Sequence, residues 1–199
     1  MDTERREDAG APQLSVQPLT AERWADLEQL FGRNGACGGC WCMWWVVPRA
    51  QFDAQKGDGN KAALRARVES SEVPGLLGYL DRAPVAWCAI QPRTCYPVLE
   101  RSRSLVRVDA APVWSIVCLF IARPFRRRGL GVQMIGQAVE HARRGGAPVV
   151  EAYPVVPKAG RMPDAFAWTG VVAAYEQAGF VEVAAPSATR RIMRYYIAP

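Results

Sequence analysis

Hydrophobic and polar positions divide the chain into short runs of strand character and longer runs of helical spacing. Strands are predicted over 14–19, 75–93 as a hairpin turning at 81–83, 113–121, 148–155, 180–184 and 189–198. Helices are predicted over 20–32, with Thr20 as its cap, over 49–70 with an interruption at 57–59, over 130–144 and over 164–180. Because strands and helices alternate and some strands form hairpins, we expect a mixed sheet with helices on its faces.

Length and composition set the broad class. The 199 residues favour one domain, which we expect to span 14–199 after a disordered tail at 1–13. No apolar run approaches the roughly 20 residues of a membrane span, and the charged start lacks the apolar core of a signal peptide. Six cysteines without an export signal favour the reducing cytoplasm and free thiols.

The formal net charge of +6 is carried almost entirely by arginine. No helix-turn-helix or aromatic-interleaved basic motif accompanies this charge, so a nucleic-acid partner is not expected. Arginine suits fixed contacts with phosphate groups, and an anionic small ligand is therefore the favoured partner. Whether the chain forms a homodimer stays open.

The junction between the strand at 113–121 and the following helix has unusual chemistry. It reads Arg126-Arg127-Arg128-Gly129-Leu130-Gly131. A helix N-terminus offers unpaired backbone N–H groups, glycine allows close approach, and arginine adds charge-assisted hydrogen bonds. We therefore predict a diphosphate-binding junction, the cradle (residues 126–132).

Several classes of phosphate-binding site begin with a junction of this kind. A P-loop is excluded because no Gly-Lys-Ser/Thr ends the glycine loop. A dinucleotide site remains an alternative, with Gly129 and Gly131 as G-x-G and Glu151 about twenty residues further on, although Met134 occupies the third glycine position. The alternatives are thus an NAD(P)-dependent oxidoreductase and a non-enzymatic sensor that binds CoA or a metal.

The cradle resembles the R/Q-x-x-G-x-G/A motif of the GCN5-related N-acetyltransferases (GNAT family). The later run Tyr175-Glu-x-x-Gly-Phe resembles the same family in the same order, and the likeness covers most of residues 14–197. This resemblance implies a mixed α/β fold whose mostly antiparallel sheet has helices on both faces and a splay between two central parallel strands. It also implies an acetyl-CoA-dependent N-acetyltransferase in which an amine attacks the thioester directly.

The resemblance further implies which residues hold the cofactor. The backbone amides from Arg128 to Val132 would bind the diphosphate, and the central strand would offer its backbone to the pantetheine arm. Tyr175 would protonate the leaving thiolate, although a tyrosine at such a spacing also serves as a packing residue. The expected cofactor-binding residues are Leu119, Phe120, Ile121, Arg126, Arg127, Arg128, Gly129, Leu130, Gly131 and Val132.

On the acceptor side, the family places the segment between the first two helices beside the acceptor pocket. There Trp41, Trp44 and Trp45 would form a wall for a flat or apolar amine, by cation–π contact if the amine is charged. The expected acceptor-binding residues also include Glu151 and Trp168, the latter at a position where many members carry asparagine. The identity of the acceptor stays open.

Proton removal has no obvious residue. Where some members carry a glutamate base, this chain has Ser115, so water, Glu151 or Asp164 would accept the proton. His141, the single histidine, is expected to be a bystander on an exposed helix end.

The cysteine-rich loop has metal-like spacing but too few ligands. Cys37, Cys40 and Cys42 supply three, whereas a closed zinc site needs four, and only Cys95 has a loop setting suited to the fourth. We therefore predict free thiols and no metal.

Overall fold

The computed structural model describes residues 12–157 and 167–198, and in this part of the chain seven strands form one sheet. The strands are β1 (Ser15–Pro18), β2 (Gly75–Leu80), β3 (Ala83–Pro92), β4 (Trp114–Ile121), β5 (Val149–Ala152), β6 (Val181–Ser187) and β7 (Arg190–Tyr196). The helices are α1 (Trp24–Phe31), α2 (Arg49–Ala54), α3 (Asp58–Glu69), α4 (Pro97–Glu100), α5 (Leu130–Arg144) and α6 (Val172–Gln177).

The strand order is β1-β2-β3-β4-β5-β7-β6, and only β4 and β5 run parallel. Every other neighbouring pair in this sheet is antiparallel. The predicted mixed, mostly antiparallel sheet is confirmed. The doubly wound parallel sheet that the dinucleotide alternative requires is not formed.

The two parallel strands separate soon after they meet. β4 pairs with β5 only from Trp114 to Ile116, while β4 itself continues to Ile121. The pairing with β3 shifts register in the same place, so Val117 is an extra residue in β4 that forms a bulge. The predicted splay is therefore present, and it leaves the second half of β4 without a strand on its β5 side.

Hydrophobic cores lie on both faces of the sheet. On one face, α5 buries Met134, Ile135, Ala138 and Ala142 against the strands, which explains the helical spacing of these apolar residues. On the other face, α1, α3 and the cysteine–tryptophan loop (residues 33–47) pack around Trp87. The sheet thus forms the middle of a three-layer arrangement, with the splay exposed at one edge of α5.

Two predicted helix boundaries are wrong. Thr20 does not cap the first helix with its side chain; Arg23 donates to the Thr20 hydroxyl at 3.2 Å, and a 3₁₀ turn at Ala21–Arg23 precedes α1. The helix predicted over 164–180 is α6, which begins only at Val172 because Gly170 has a left-handed φ of 80° that ends helical geometry. Residues 164–166 of that prediction lie outside the described residues.

The predicted domain start is attached to the fold. The Leu14 amide donates to the Gln133 side chain of α5 at 2.9 Å, and that side chain donates to the Pro12 carbonyl at 3.0 Å. The first eleven residues of the predicted tail lie outside the described part of the chain. Among the helices described, none combines the length and the apolar character that a bilayer crossing requires.

Candidate functional site

A cavity of about 910 Å³ opens at the splay between β4 and β5. Its lining combines the second half of β4, the cradle, the cysteine–tryptophan loop, α2 and residues 167–174. Of the residues predicted from sequence for the cofactor and the acceptor, most therefore meet in one continuous space.

The N-terminus of α5 is built to receive an anion. Gly129 precedes the helix with a left-handed φ of 74° and provides no side-chain cap. The Leu130 and Gly131 amides belong to the first turn of the helix, where the backbone N–H groups have no carbonyl partner within the helix. The Val132 amide, in contrast, already donates to the Gly129 carbonyl at 3.1 Å. The free N–H groups and the positive end of the helix dipole thus face the splay.

Backbone strain also marks the cradle. Arg127 has a φ of 60°, which is uncommon for a residue other than glycine. Such conformations persist only where the surrounding structure enforces them, and they concentrate at binding sites. The alternation of left-handed residues at 127 and 129 turns the chain sharply from β4 into α5.

The three arginines of the cradle take different positions. Arg126 and Arg127 line the cavity, and the Arg126 Nε atom donates to the Ile121 carbonyl at 2.8 Å. Arg128 is exposed, lies over the Phe125 ring and does not line the cavity. Two of the three predicted arginines are thus directed to the same space as the helix N-terminus.

The open edge of β4 is partly occupied. Leu119, Phe120 and Ile121 all line the cavity, as predicted for the pantetheine arm. The Leu119 amide, however, donates to the Trp168 carbonyl at 2.7 Å. In this structure residues 167–170 therefore cross the splay and use one of the strand hydrogen bonds that the resemblance assigns to the cofactor.

Tyr175 is fully buried and does not line the cavity. Its hydroxyl donates to the Thr169 carbonyl at 3.0 Å, and its ring packs edge-on against Phe180. Gly170 makes room for this ring, since a Cβ there would lie 2.7 Å from the Tyr175 ring. Burial raises the pKa of the Tyr175 hydroxyl well above its ordinary value, so it stays protonated.

The predicted tryptophans separate into two groups. Trp44, Trp45 and Trp168 line the cavity, with ring centroids 6.2–6.5 Å apart. Trp41 is only 3% exposed, stacks on Trp24 at 6.1 Å and lies in the core behind the wall. The acceptor wall of the structure is thus formed by two of the three loop tryptophans together with Trp168.

Glu151 lies outside the cavity in a buried ionic network. Its two carboxylate oxygens accept hydrogen bonds from Arg93 and Arg194, each at 2.8 Å. Tyr153 donates to the same carboxylate at 2.7 Å and lies 2.8 Å from the Ser115 hydroxyl. Both oxygens of Glu151 are already engaged, and Ser115 is fully buried, so neither side chain is presented to an acceptor in the cavity.

Four cysteines, Cys37, Cys40, Cys42 and Cys118, line the cavity. Cys42 and Cys118 have their sulfur atoms 3.4 Å apart, and the Trp87 indole donates to Cys42 at 3.1 Å. In the described part of the chain, no three His, Cys, Asp or Glu residues are grouped so that they could hold a metal ion. The neighbouring thiol Cys118 and burial raise the pKa of Cys42 well above its ordinary value, which favours an unreactive thiol.

Thiol reactivity gives a first testable prediction. Cys37 is exposed, whereas Cys88 is buried and its pKa is raised by burial. A thiol reagent added to the native protein should therefore modify Cys37 first and Cys88 only after unfolding, as peptide mapping would show. Near-stoichiometric zinc in the purified protein, or protection of Cys37 that chelators relieve, would contradict the free-thiol interpretation.

Several cavity residues were not predicted from the sequence. Arg49, Phe52 and Lys56, from α2 and the turn after it, line the cavity, and the first two pack against Trp44. The sequence showed only a helical pattern that is broken at Gly57. In the structure Gly57 has a left-handed φ of 89°, and Lys56 before it lies beside the cysteine–tryptophan loop.

His141 is half-buried against Trp114 and does not line this cavity.

Comparison with known families agrees with the fold and the cradle. The profile of the acetyltransferase (GNAT) family matches residues 41–163, which include the bulged strand β4 and the cradle. The chain belongs to this family. It is therefore an acetyltransferase, an enzyme whose cosubstrate is acetyl-CoA.

Solved structures share the fold at low sequence identity. The PaiA N-acetyltransferase from Thermoplasma acidophilum in complex with coenzyme A is 12% identical with a TM-score of 0.52, over 93% of this chain and 99% of that one. A polyamine N-acetyltransferase from Drosophila melanogaster is 10% identical with a TM-score of 0.58, over 93% and 100%. AAC(6')-Ib in complex with ribostamycin and coenzyme A is 16% identical with a TM-score of 0.55, over 92% and 93%. No curated protein sequence matches the chain.

Proposed function

We propose that this N-acetyltransferase binds acetyl-CoA along the splay, with the diphosphate on the free amides of the cradle and the acyl end toward the tryptophan wall. The observation that carries this assignment is the continuity of one cavity from the uncapped N-terminus of α5 to Trp44 and Trp45. Arg126 and Arg127 add positive charge at the same end. A titration of the full chain with CoA, followed by hydrogen exchange of the complex, tests this assignment.

The reaction requires positioning more than it requires reactive side chains. When bound, acetyl-CoA supplies an activated acyl carbon; the amine nitrogen bonds to that carbon, the carbon–sulfur bond breaks, the amine loses a proton and the thiolate gains one. The β4 edge and the cradle hold donor and acceptor in reach of each other. For the pantetheine arm to use the Leu119 amide, the Trp168 carbonyl must release it, so we expect residues 167–170 to move when the donor binds.

Proton delivery is proposed for Tyr175. Its hydroxyl stays protonated and donates to the Thr169 carbonyl. Thr169 belongs to the segment 167–170, which lies against β4. A shift of that segment would break the bond to the Thr169 carbonyl and free the hydroxyl to donate elsewhere. In the alternative, Tyr175 only anchors this segment.

A Tyr175→Phe variant distinguishes the two roles. It keeps the ring packing against Phe180 and removes the hydroxyl bond to Thr169, so stability should fall by about 1 kcal/mol. If Tyr175 is the proton donor, kcat should also fall, by about 100-fold or less, while the KM for acetyl-CoA changes little. Full kcat across pH 7–9 would show that Tyr175 is a packing residue only.

Proton removal is proposed to fall to water. Among the described residues that line the cavity there is no aspartate or glutamate, and Asp164, the other sequence candidate, lies outside the described residues. The enzyme would then depend on the fraction of amine that is already neutral.

The pH profile of kcat/KM tests whether the enzyme relies on amine that is already neutral. An alkyl amine has a pKa near ~10, and only its neutral form attacks, so below that pKa each unit of pH should raise kcat/KM about tenfold. An aryl amine is neutral throughout pH 6–9, and its rate should be flat. A plateau well below the pKa of an alkyl amine would instead reveal a general base.

The wider setting is proposed from the family, the chain length and the composition. The acceptor is a small-molecule or peptide amine, the chain works in the cytoplasm without nucleic acid or membrane, and residues 14–199 act as a single domain. A homodimer is compatible with this proposal and is not required by it.

A further inference from the structure

The acceptor end of the cavity has a one-sided charge. The described residues that line the whole cavity include the basic side chains Arg49, Lys56, Arg126 and Arg127 and no carboxylate. Arg126 and Arg127 belong to the cradle, whereas Arg49 and Lys56 come from α2 and the turn after it, where Arg49 lies over the Trp44 ring. This second basic pair therefore belongs with the tryptophan wall and not with the cradle.

The two basic residues of this end differ in their partners. Arg49 pairs with Asp53 at 2.7 Å on the outside of α2, and its guanidinium lies 4.2 Å from the Trp44 ring centroid. Lys56 is exposed, has no carboxylate partner among the described residues, and its ammonium lies beside Gly38 of the cysteine–tryptophan loop. The net positive charge at this end is thus carried by Lys56.

The wall between these residues is aromatic, and its three indole rings are inclined to one another by 38–89°. Trp44, Trp45 and Trp168 face the same space, with Phe52 packed edge-on against Trp44. The indole N–H of Trp45 is buried and has no hydrogen-bond partner in the described part of the chain. A wall of this kind offers stacking surface and N–H donors but no acceptor carboxylate for an ammonium group.

A cationic acceptor fits this site poorly. An ammonium group would meet no carboxylate among the described residues that line the cavity, and one face of Trp44 is already covered by Arg49. The cation–π contact expected from the sequence is thus made by a residue of the chain itself. Like charges in a partly desolvated space repel, whereas an anionic group would pair with Lys56.

Resting on the proposed function, we propose that the acceptor is an aromatic amine that also carries an anionic group, a carboxylate or a phosphate. The ring lies between Trp44, Trp45 and Trp168, and the anion is directed to Lys56 and Arg49. An aryl amine needs no general base, since it is neutral at physiological pH, which suits a cavity without a described carboxylate. Polyamines and aminoglycosides, which carry several positive charges, are poor acceptors.

The test uses the full chain and acceptor pairs that differ only in the anion. The pairs are 4-aminobenzoate with aniline and 4-aminophenyl phosphate with 4-aminophenol, and spermidine and ribostamycin serve as polycations. We expect the anionic member of each pair to have a kcat/KM at least about tenfold higher, which corresponds to about 1.4 kcal/mol. Binding is measured in parallel by quenching of tryptophan fluorescence.

Charge reversal supplies the matched control. Lys56→Glu should lower kcat/KM for 4-aminobenzoate by more than about tenfold and leave aniline within about twofold. Arg103→Glu makes the same change of charge at an exposed residue that does not line the cavity, and it should change neither.

Three outcomes would overturn the proposal. The first is a higher kcat/KM for the neutral member of each pair or for a polycation, and the second is an equal loss of kcat/KM for 4-aminobenzoate and aniline in Lys56→Glu. The third is no acetylation of any acceptor together with no preferential binding of the anionic member. CoA affinity of the same samples is measured separately. Intact CoA binding then shows that only the acceptor class was wrong, whereas its absence shows that the proposed function has failed as well.

Discussion

Replacing Glu151 with glutamine is expected to lower the free energy of unfolding by about 3–5 kcal/mol. The Glu151 side chain is fully buried, and its carboxylate compensates Arg93 and Arg194, which are 1% and 3% exposed at the side chain. Glutamine has nearly the same shape but no charge, so the two buried guanidinium groups would lose their shared buried counterion and keep only their outer partners, Glu100 for Arg93 and Asp109 for Arg194. Loss of the carboxylate weakens the contact of β5 with β7 and with the segment after β3.

The control is Glu69→Gln, which removes one charge from the exposed pair with Arg65 on α3. An exposed pair of this kind contributes little, and we expect a change within about 0.5 kcal/mol. Denaturant titration of both variants measures the difference. A Glu151→Gln protein that keeps its stability but loses activity would mean that Glu151 serves the reaction and that the network is not its main role.

Replacing Gly131 with glutamate is expected to weaken CoA binding by about 100-fold or more, equivalent to about 2.7 kcal/mol. A Cβ at this position would meet only the Leu119 side chain at 3.9 Å, so the helix accepts the new side chain without a clash. The new carboxylate would lie in the first turn of α5, which is the proposed binding site of the diphosphate. Charge repulsion and bulk would then both oppose the ligand.

Gly136→Glu provides a matched control on the same helix. Gly136 is exposed, and a Cβ there would meet no atom within 4 Å. Both substitutions replace glycine within a helix by a better helix former, so neither should lower stability. Calorimetry should give wild-type CoA affinity for Gly136→Glu, and equal affinity in both variants would remove the cradle from the binding site.

Much of the fold was predictable because its signals are local. The strand at 113–121, the glycines at 129 and 131 and the helix that follows are adjacent in sequence, and their junction forms as expected. Period-two and helical spacing also gave the hairpin of β2 and β3 and the buried face of α5. The splay followed from the family resemblance of these local motifs.

What could not be predicted depends on contacts between distant residues. Arg93 and Arg194 reach Glu151 across 58 and 43 positions, so a carboxylate that looked free in the sequence is fully paired in the structure. Likewise, the bond from Leu119 to the Trp168 carbonyl exists only because β5 turns away from β4. The convergence of Arg49 and Lys56 on the tryptophan wall depends on the turn at Gly57, which no periodic pattern reports.

The most direct measurement of the central claim is a titration of the full chain with CoA, followed by hydrogen exchange of the complex. We expect one CoA bound per chain, slower exchange at the amides from Arg128 to Gly131, and altered exchange at Leu119, with no comparable effect of NAD or NADP. Absence of CoA binding, or protection confined to residues outside the cradle and β4, would contradict it.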